Sequence, residues 1–269
     1  CDWSSDVCSS DLIATIISHM YNGGTVPAET VAMVGQYAEN VHFGKPSGLL
    51  DQMASAAGGL VSVDFAEQIP EVHAMNFDFA KKGYAICVVA PGGSHANLTD
   101  HYAAIPEEMK KVAQFFGASY LREVPEETFM SQLGALRLKV SDRAVLRAIH
   151  FYQENRRVDQ QVAALERDDL QAFFHEIIAS GRSSFMYLQN VYANSDYQNQ
   201  SVAIGLAFSE EILNGHGVCR VHGGGFGGTA LAIVPAAQQQ TFIDTVEASL
   251  GKGRVQKISV CPEGGVLIG

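Results

Sequence analysis

The sequence predicts an α+β fold, on three observations. Short apolar or alternating runs at 60–65, 83–90, 218–222, 229–234 and 255–261 read as strands. Long amphipathic stretches, those near 141–166 and 168–180 above all, read as helices set among them. The chain has 269 residues, enough for one large or two small domains with a sizeable core.

Taken in order, residues 1–12 do not read like the rest of the chain. They hold the only Trp and two of the five Cys, and they show no helical period. A signal peptide is excluded, because there is neither a basic start nor an apolar core. The expectation is a non-native leader, a cloning or assembly artefact joined to a truncated gene; the plainer alternative is a disordered tail. Leu12–Tyr21 is an apolar helix stopped by Asn22-Gly23-Gly24, with so little polar surface that partners upstream are expected. Pro27 opens a second helix to about His42, with Val31, Val34, Ala38 and Val41 as its buried stripe. A further helix is expected near 101–117, one at 197–213 and one near 236–250. Asp168 or Asp169 caps the helix after the long one. The polar Lys81-Lys82 is the best domain boundary, dividing residues 13–80 from 81–269.

Composition narrows the function. Lys and Arg number 18 against 29 Asp and Glu, a net charge of -11. So acidic a chain is a poor partner for nucleic acid or an anionic membrane. No apolar run reaches membrane-spanning length. The five cysteines form no C-x-x-C pair, which argues against zinc; their odd number in a long chain argues against a disulfide framework, and a reducing cytoplasm is the expected setting. The sequons at Asn97 and Asn199 then read as chance matches. There is no G-x-S-x-G and no G-x-x-x-x-G-K-[ST], so a hydrolase triad and a P-loop kinase have no support.

Two stretches carry chemistry. Gly44-Lys-Pro-Ser-Gly-Leu-Leu-Asp51-Gln52 is a turn delivering a carboxylate to the start of a small-residue helix. Ser47 is the expected N-cap, which puts Asp51 in the first turn, where the helix dipole favours an ionised acid, and the apolar segment after it should form a packed wall beside it. A capping carboxylate and a catalytic base both fit that pattern, and capping is the commoner outcome. Gly223-Gly-Gly-Phe-Gly-Gly228 holds five glycines in six residues. It matches G-x-G-x-x-G, but a strand comes next where dinucleotide binding requires a helix. A tight turn between strands is one reading; close approach of the backbone to a ligand is the other. His101 and His222 stand out, although satisfied structural histidines are more common. Glu107-Glu108 and Lys110-Lys111 read as a solvated helix face.

Three segments together resemble the galactokinase family of the GHMP small-molecule kinases. They are Gln36-Tyr-Ala-Glu-Asn40 with Ser47-Gly-Leu-Leu-Asp-Gln52, then Asn97-Leu-Thr-Asp-His-Tyr102, then Arg220-Val-His-Gly-Gly-Gly-Phe-Gly-Gly-Thr229. The resemblance runs over about residues 13–265. It implies a two-domain GHMP kinase fold, with an incomplete N-terminal domain and a ferredoxin-like C-terminal domain. The implied reaction is ATP-dependent phosphorylation of the C1 hydroxyl of galactose, with magnesium. Asp51 matches the catalytic base and Glu39, twelve residues earlier, the magnesium ligand. Tyr102, Gly48, Gly224 and Gly225 match sugar-binding positions; Gly223, Gly227 and Gly228 match positions near the ATP phosphates. A kinase for another sugar, such as N-acetylgalactosamine or arabinose, and a non-catalytic sugar and ATP sensor of the same fold are the alternatives. The family's opening sugar-binding motif, with the Arg that partners the base, and its phosphate loop have no counterpart here. These 269 residues alone are therefore expected to be inactive or nearly so.

Overall fold

The computed structural model describes residues 7–42, 44, 47–93 and 98–266, with side chains from residue 10 onward. Residues 1–6 of the expected leader, Lys45 and Pro46 of the Asp51 turn, and Asn97 of the second motif lie outside the described residues. The chain forms two compact units. One ends at Phe77 and is rejoined by the segment from Val260; the other is Asp78–Ser259. Among the described residues no helix is long and apolar enough to cross a membrane.

In the first unit, α1 (Val7–Asn22) begins inside the expected leader and ends at Gly23 and Gly24, both at positive φ. Its Leu12, Ile13, Ile16, Ile17 and Met20 are exposed. Pro27 precedes α2 (Ala28–Tyr37), which runs on as a single π-helical turn, Ala38–His42. The buried face of α2 is Val31, Ala32 and Gly35; of the expected stripe Val31 is buried and Ala38 half-buried, while Val34 and Val41 are exposed. Gly35 permits close approach, since a Cβ there would stand 3.3 Å from Asp11 Oδ1. Next come α3 (Leu50–Ala57), β1 (Leu60–Asp64) and β2 (Glu71–Met75). The strands pair antiparallel with Leu60 opposite Met75. Gly59 N donates to Cys261 O at 2.7 Å, which ties the returning segment to this unit.

The second unit is built on a four-stranded antiparallel sheet. Its strands are β3 (Tyr84–Val89), β4 (Val218–His222), β5 (Thr229–Pro235) and β6 (Val255–Ile258), in the order β4-β5-β3-β6. Cys87 on β3 and Cys219 on β4 both face Ala232 of β5, and all three are buried. Burial pushes the Cys87 thiol up and the Cys219 thiol up to about 12, so both are core groups and not nucleophiles. Between β3 and β4 run α4 (Thr99–Phe115), the short α5 (Glu126–Ser131) and α6 (Leu133–Leu136), α7 (Asp142–Glu166), α8 (Leu170–Ser183) and α9 (Ser201–Leu213). The helix α10 (Gln239–Leu250) lies between β5 and β6. Both long helices are capped by side chains: Ser141 accepts from Ala144 N, and Asp169, the second of the two expected candidates, from Ala172 N.

One expectation fails on α4. Glu108 does not belong to a solvated face: its carboxylate is paired with Arg143 Nη2 at 2.5 Å and with Arg147 Nη1 at 3.0 Å, and the Arg147 side chain is only 2% exposed. A charge pattern along one helix cannot reveal that a second helix brings two guanidinium groups to it.

The α7–α8 interface also sets an acid sensitivity. His150 is buried, with Nδ1 2.9 Å from Ser183 Oγ. Burial pushes its imidazole down to about 4; Glu154 opposes the shift, and the positive Arg157 and Arg220 add to it. The unfolded chain therefore takes up this proton at a higher pH than the folded one. The associated stability is complete above pH about 6.5 and is lost as the pH falls through about 4, a change of roughly 3 kcal/mol. Urea unfolding of the chain and of His150→Asn between pH 7 and pH 4 should show a shallower fall in the variant; parallel curves would contradict the assignment.

Candidate active site

In the first unit, the candidate residues are gathered around Ser47. Asn40 Oδ1 accepts from Ser47 N at 2.8 Å, and Ser47 O accepts from Gln36 Nε2 at 3.1 Å. These bonds fasten the turn before α3 to the end of α2. They also occupy the Ser47 hydroxyl, which donates to Asn40 Oδ1 at 3.2 Å. Ser47 is thus not the N-cap of α3; Leu49 holds that position with no side-chain cap. Asp51 does lie in the first turn. It is exposed, however, and not set against an apolar wall. The reason is geometric: Gln52 and Met53 form the buried face of this short helix, and at about 100° per residue that face points away from Asp51. Gly48 is exposed, with nothing among the described residues within 4 Å of where a Cβ would stand.

Glu39 sits in the π-helical turn, half-buried, and its Oε1 accepts from Gln52 Nε2 at 3.1 Å. The neighbour that sequence reasoning missed is Asp11, inside the segment read as a leader. It is 3% exposed. Burial raises its carboxyl above the ordinary range, Ser55 offsets part of that, and the charge of Glu39 raises it further. Gln52 Oε1 is buried with no hydrogen-bond partner among the described residues. The inward-facing donors are all oxygens, a set that suits a hard divalent cation completing its shell with water and phosphate. Among the described residues there is no group of three or more His, Cys, Asp or Glu that could hold a metal by itself.

In the second unit, the candidate element is the glycine loop, which closes the β4–β5 hairpin between His222 and Thr229. Tyr102 on α4 lies against it. The Tyr102 hydroxyl donates to Gly225 O at 2.9 Å, and its ring meets Phe226 edge-on at 5.1 Å. Burial raises the Tyr102 phenol, so it stays protonated at neutral pH. A Cβ on Gly224 would stand 2.7 Å from that ring, and one on Gly225 would stand 2.0 Å from Asn190 O. Phe226 itself takes φ 58°, a left-handed conformation that costs about 1–3 kcal/mol for a non-glycine residue. The glycine excess is thus accounted for in part by packing beneath Tyr102 and Asn190. His101 and His222 are satisfied by hydroxyls, at 2.7 Å from Ser195 Oγ and 3.1 Å from Thr229 Oγ1. Beside Phe226 a cleft of about 820 Å³ opens among Gly93, Leu98, Ser195, Ser201 and Gly227. Asn190 was not legible as a site residue, because it carries no motif and reaches the loop from 34 residues away.

The fold is that of the GHMP kinases. It superposes on L. major mevalonate kinase, solved with R-mevalonate, at TM-score 0.59 and 17% identity, over 96% of this chain and 65% of that one. It superposes on Lactococcus lactis galactokinase, solved with galactose, at TM-score 0.75 and 22% identity, over 97% of this chain and 66% of that one. In sequence the chain is similar to galactokinases. It is 29% identical over 209 residues to the galactokinase of Actinobacillus pleuropneumoniae, an alignment spanning 76% of this chain and 51% of that protein. The chain thus spans about half the length of the curated relatives it matches. No protein-family model matches it.

Proposed function

We propose that the chain is the larger part of a galactokinase, which moves the γ-phosphoryl group of ATP to the C1 hydroxyl of galactose. The observation that carries this reading is the bond joining the Glu39 turn to α3, the helix whose first turn holds Asp51. Gln52, next to Asp51, binds Glu39 through its amide, so the two acids are held on adjoining elements. The homology to galactokinases supports the choice of sugar.

In this reading Asp51 accepts or orients the C1 hydroxyl proton as the new O–P bond forms and the bond to ADP breaks. Its exposure on the first turn of α3 leaves it open to a substrate. Glu39 would hold the magnesium ion, which would neutralise phosphate charge. Tyr102, Gly48, Gly224 and Gly225 orient the sugar. Gly223, Gly227 and Gly228 would lie beside the phosphates, with Gly223 exposed, Gly228 half-buried and Gly227 buried. Residues 13–80 then form the remainder of an N-terminal kinase domain, and 81–269 the C-terminal domain. The strand order β4-β5-β3-β6, with helices between β3 and β4 and between β5 and β6, supports a ferredoxin-like core for the latter. The cytoplasm supplies the ATP such a reaction needs.

The test joins residues 13–269 to the upstream segment of the A. pleuropneumoniae galactokinase and follows the products by phosphorus NMR. Galactose phosphorylated at C1 is expected. A phosphate on another carbon, or faster turnover of N-acetylgalactosamine or arabinose, would reassign the substrate. Binding of both ligands with no ADP released would make the protein a sensor.

A further inference from the structure

The glycine loop is held from behind by a chain of contacts that starts at a buried ion pair. Arg147 on α7 divides its guanidinium between two acceptors. Nη1 meets Glu108 Oε2 at 3.0 Å, and Nε donates to Leu188 O at 3.1 Å. Leu188 ends a π-helical turn, Ser184–Leu188, and Gln189 after it takes φ 57°. That reversal delivers Asn190, 2% exposed, to the loop. Asn190 O accepts from Phe226 N at 2.5 Å, and Asn190 Nδ2 donates to Gly224 O at 3.2 Å. Glu108, at the far end of the chain of contacts, shares α4 with Tyr102, whose hydroxyl holds Gly225 O from the other side. Two uncommon backbone conformations, at Gln189 and Phe226, are thus joined by one residue. Strain of this kind persists only where its surroundings over-determine it.

We propose that Arg147 and Asn190 are positioning residues of the glycine loop: Arg147 fixes the Leu188 carbonyl, and through it Asn190 fixes Gly224 and Phe226. The functional weight of this assignment rests on the reading that the loop faces sugar and phosphate; the contacts themselves do not. Arginine is required at position 147 because two acceptors in different directions are met by two different nitrogens. A lysine ammonium is a single point of charge and cannot reproduce that fork. Packing alone would make the same residues matter for stability without singling out the loop.

The experiment is amide hydrogen exchange by NMR on the chain as it stands, comparing Arg147→Lys and Asn190→Ala with the unsubstituted protein. Exchange at Phe226 and Gly228 is expected to quicken about tenfold in both variants, while Cys87 and Val89 in the same sheet keep their rates. Uniform quickening across the sheet, or an unchanged loop, overturns the proposal. If Arg147→Lys does not fold, the isosteric Glu108→Gln tests the first link and Asn190→Ala still tests the last. Galactose and ATP titrations of the chain joined to the upstream galactokinase segment separate the positioning from the kinase reading. Absence of shifts at the loop amides would count against the kinase reading, and the exchange pattern would still decide the positioning.

Discussion

On the proposed galactokinase reading, Asp51→Asn in the chain joined to the upstream segment is expected to lower kcat by about 10²–10⁴-fold, the range a positioned general base contributes. Galactose binding should survive. The substitution is isosteric, and the Asp51 side chain is exposed, so no core contact is lost. It replaces an anionic carboxylate by a neutral amide of the same shape, which cannot take a proton. Unfolding curves of the two proteins should therefore coincide, within the spread of about 0.5 kcal/mol usual for surface substitutions. The informative pattern is a large fall in kcat with KM nearly unchanged. Full turnover would remove Asp51 from the mechanism. A fall confined to KM would make it a binding residue instead.

The second large effect is expected at Gly225. Its φ is 79°, and a Cβ would stand 2.0 Å from Asn190 O. That neighbour is a backbone atom, engaged with Phe226 N, and cannot swing aside as the end of a long side chain could. Gly225→Ala should cost about 3 kcal/mol from the clash and the backbone together, a fall in Tm of about 6–12 °C for a chain of this size. Gly223 is the internal control. It has φ 60° with nothing within 4 Å of its Cβ position among the described residues, so Gly223→Ala is expected to bear the conformational term alone, about 1 kcal/mol. Thermal unfolding of the pair should separate them clearly. Equal shifts would mean that the loop moves off Asn190 without cost.

Legibility in the sequence followed the range of the interaction. The long helices, the Asp169 cap and the hairpin strands on either side of the glycines are set by local periodicity and capping chemistry, and they lie where the sequence puts them. The dinucleotide reading of the glycine run fails because Thr229–Pro235 is a strand. What escaped depended on partners distant in sequence. Glu108 reads as solvated until α7 supplies Arg143 and Arg147. Ser47 reads as a cap until Asn40 takes its hydroxyl. Val34 and Val41 repeat at helical spacing yet stay exposed, while Gly35, too small to register in a hydrophobic pattern, faces Asp11. Asn190 is the extreme case: its role is set almost wholly by where other elements deliver it.

Galactose-dependent ADP release from the completed chain tests the kinase assignment most directly. With ATP and magnesium present, release is expected to rise and saturate with galactose, and to fall to the background level in Asp51→Asn. Release that ignores galactose, or that the Asp51→Asn variant sustains in full, would contradict it.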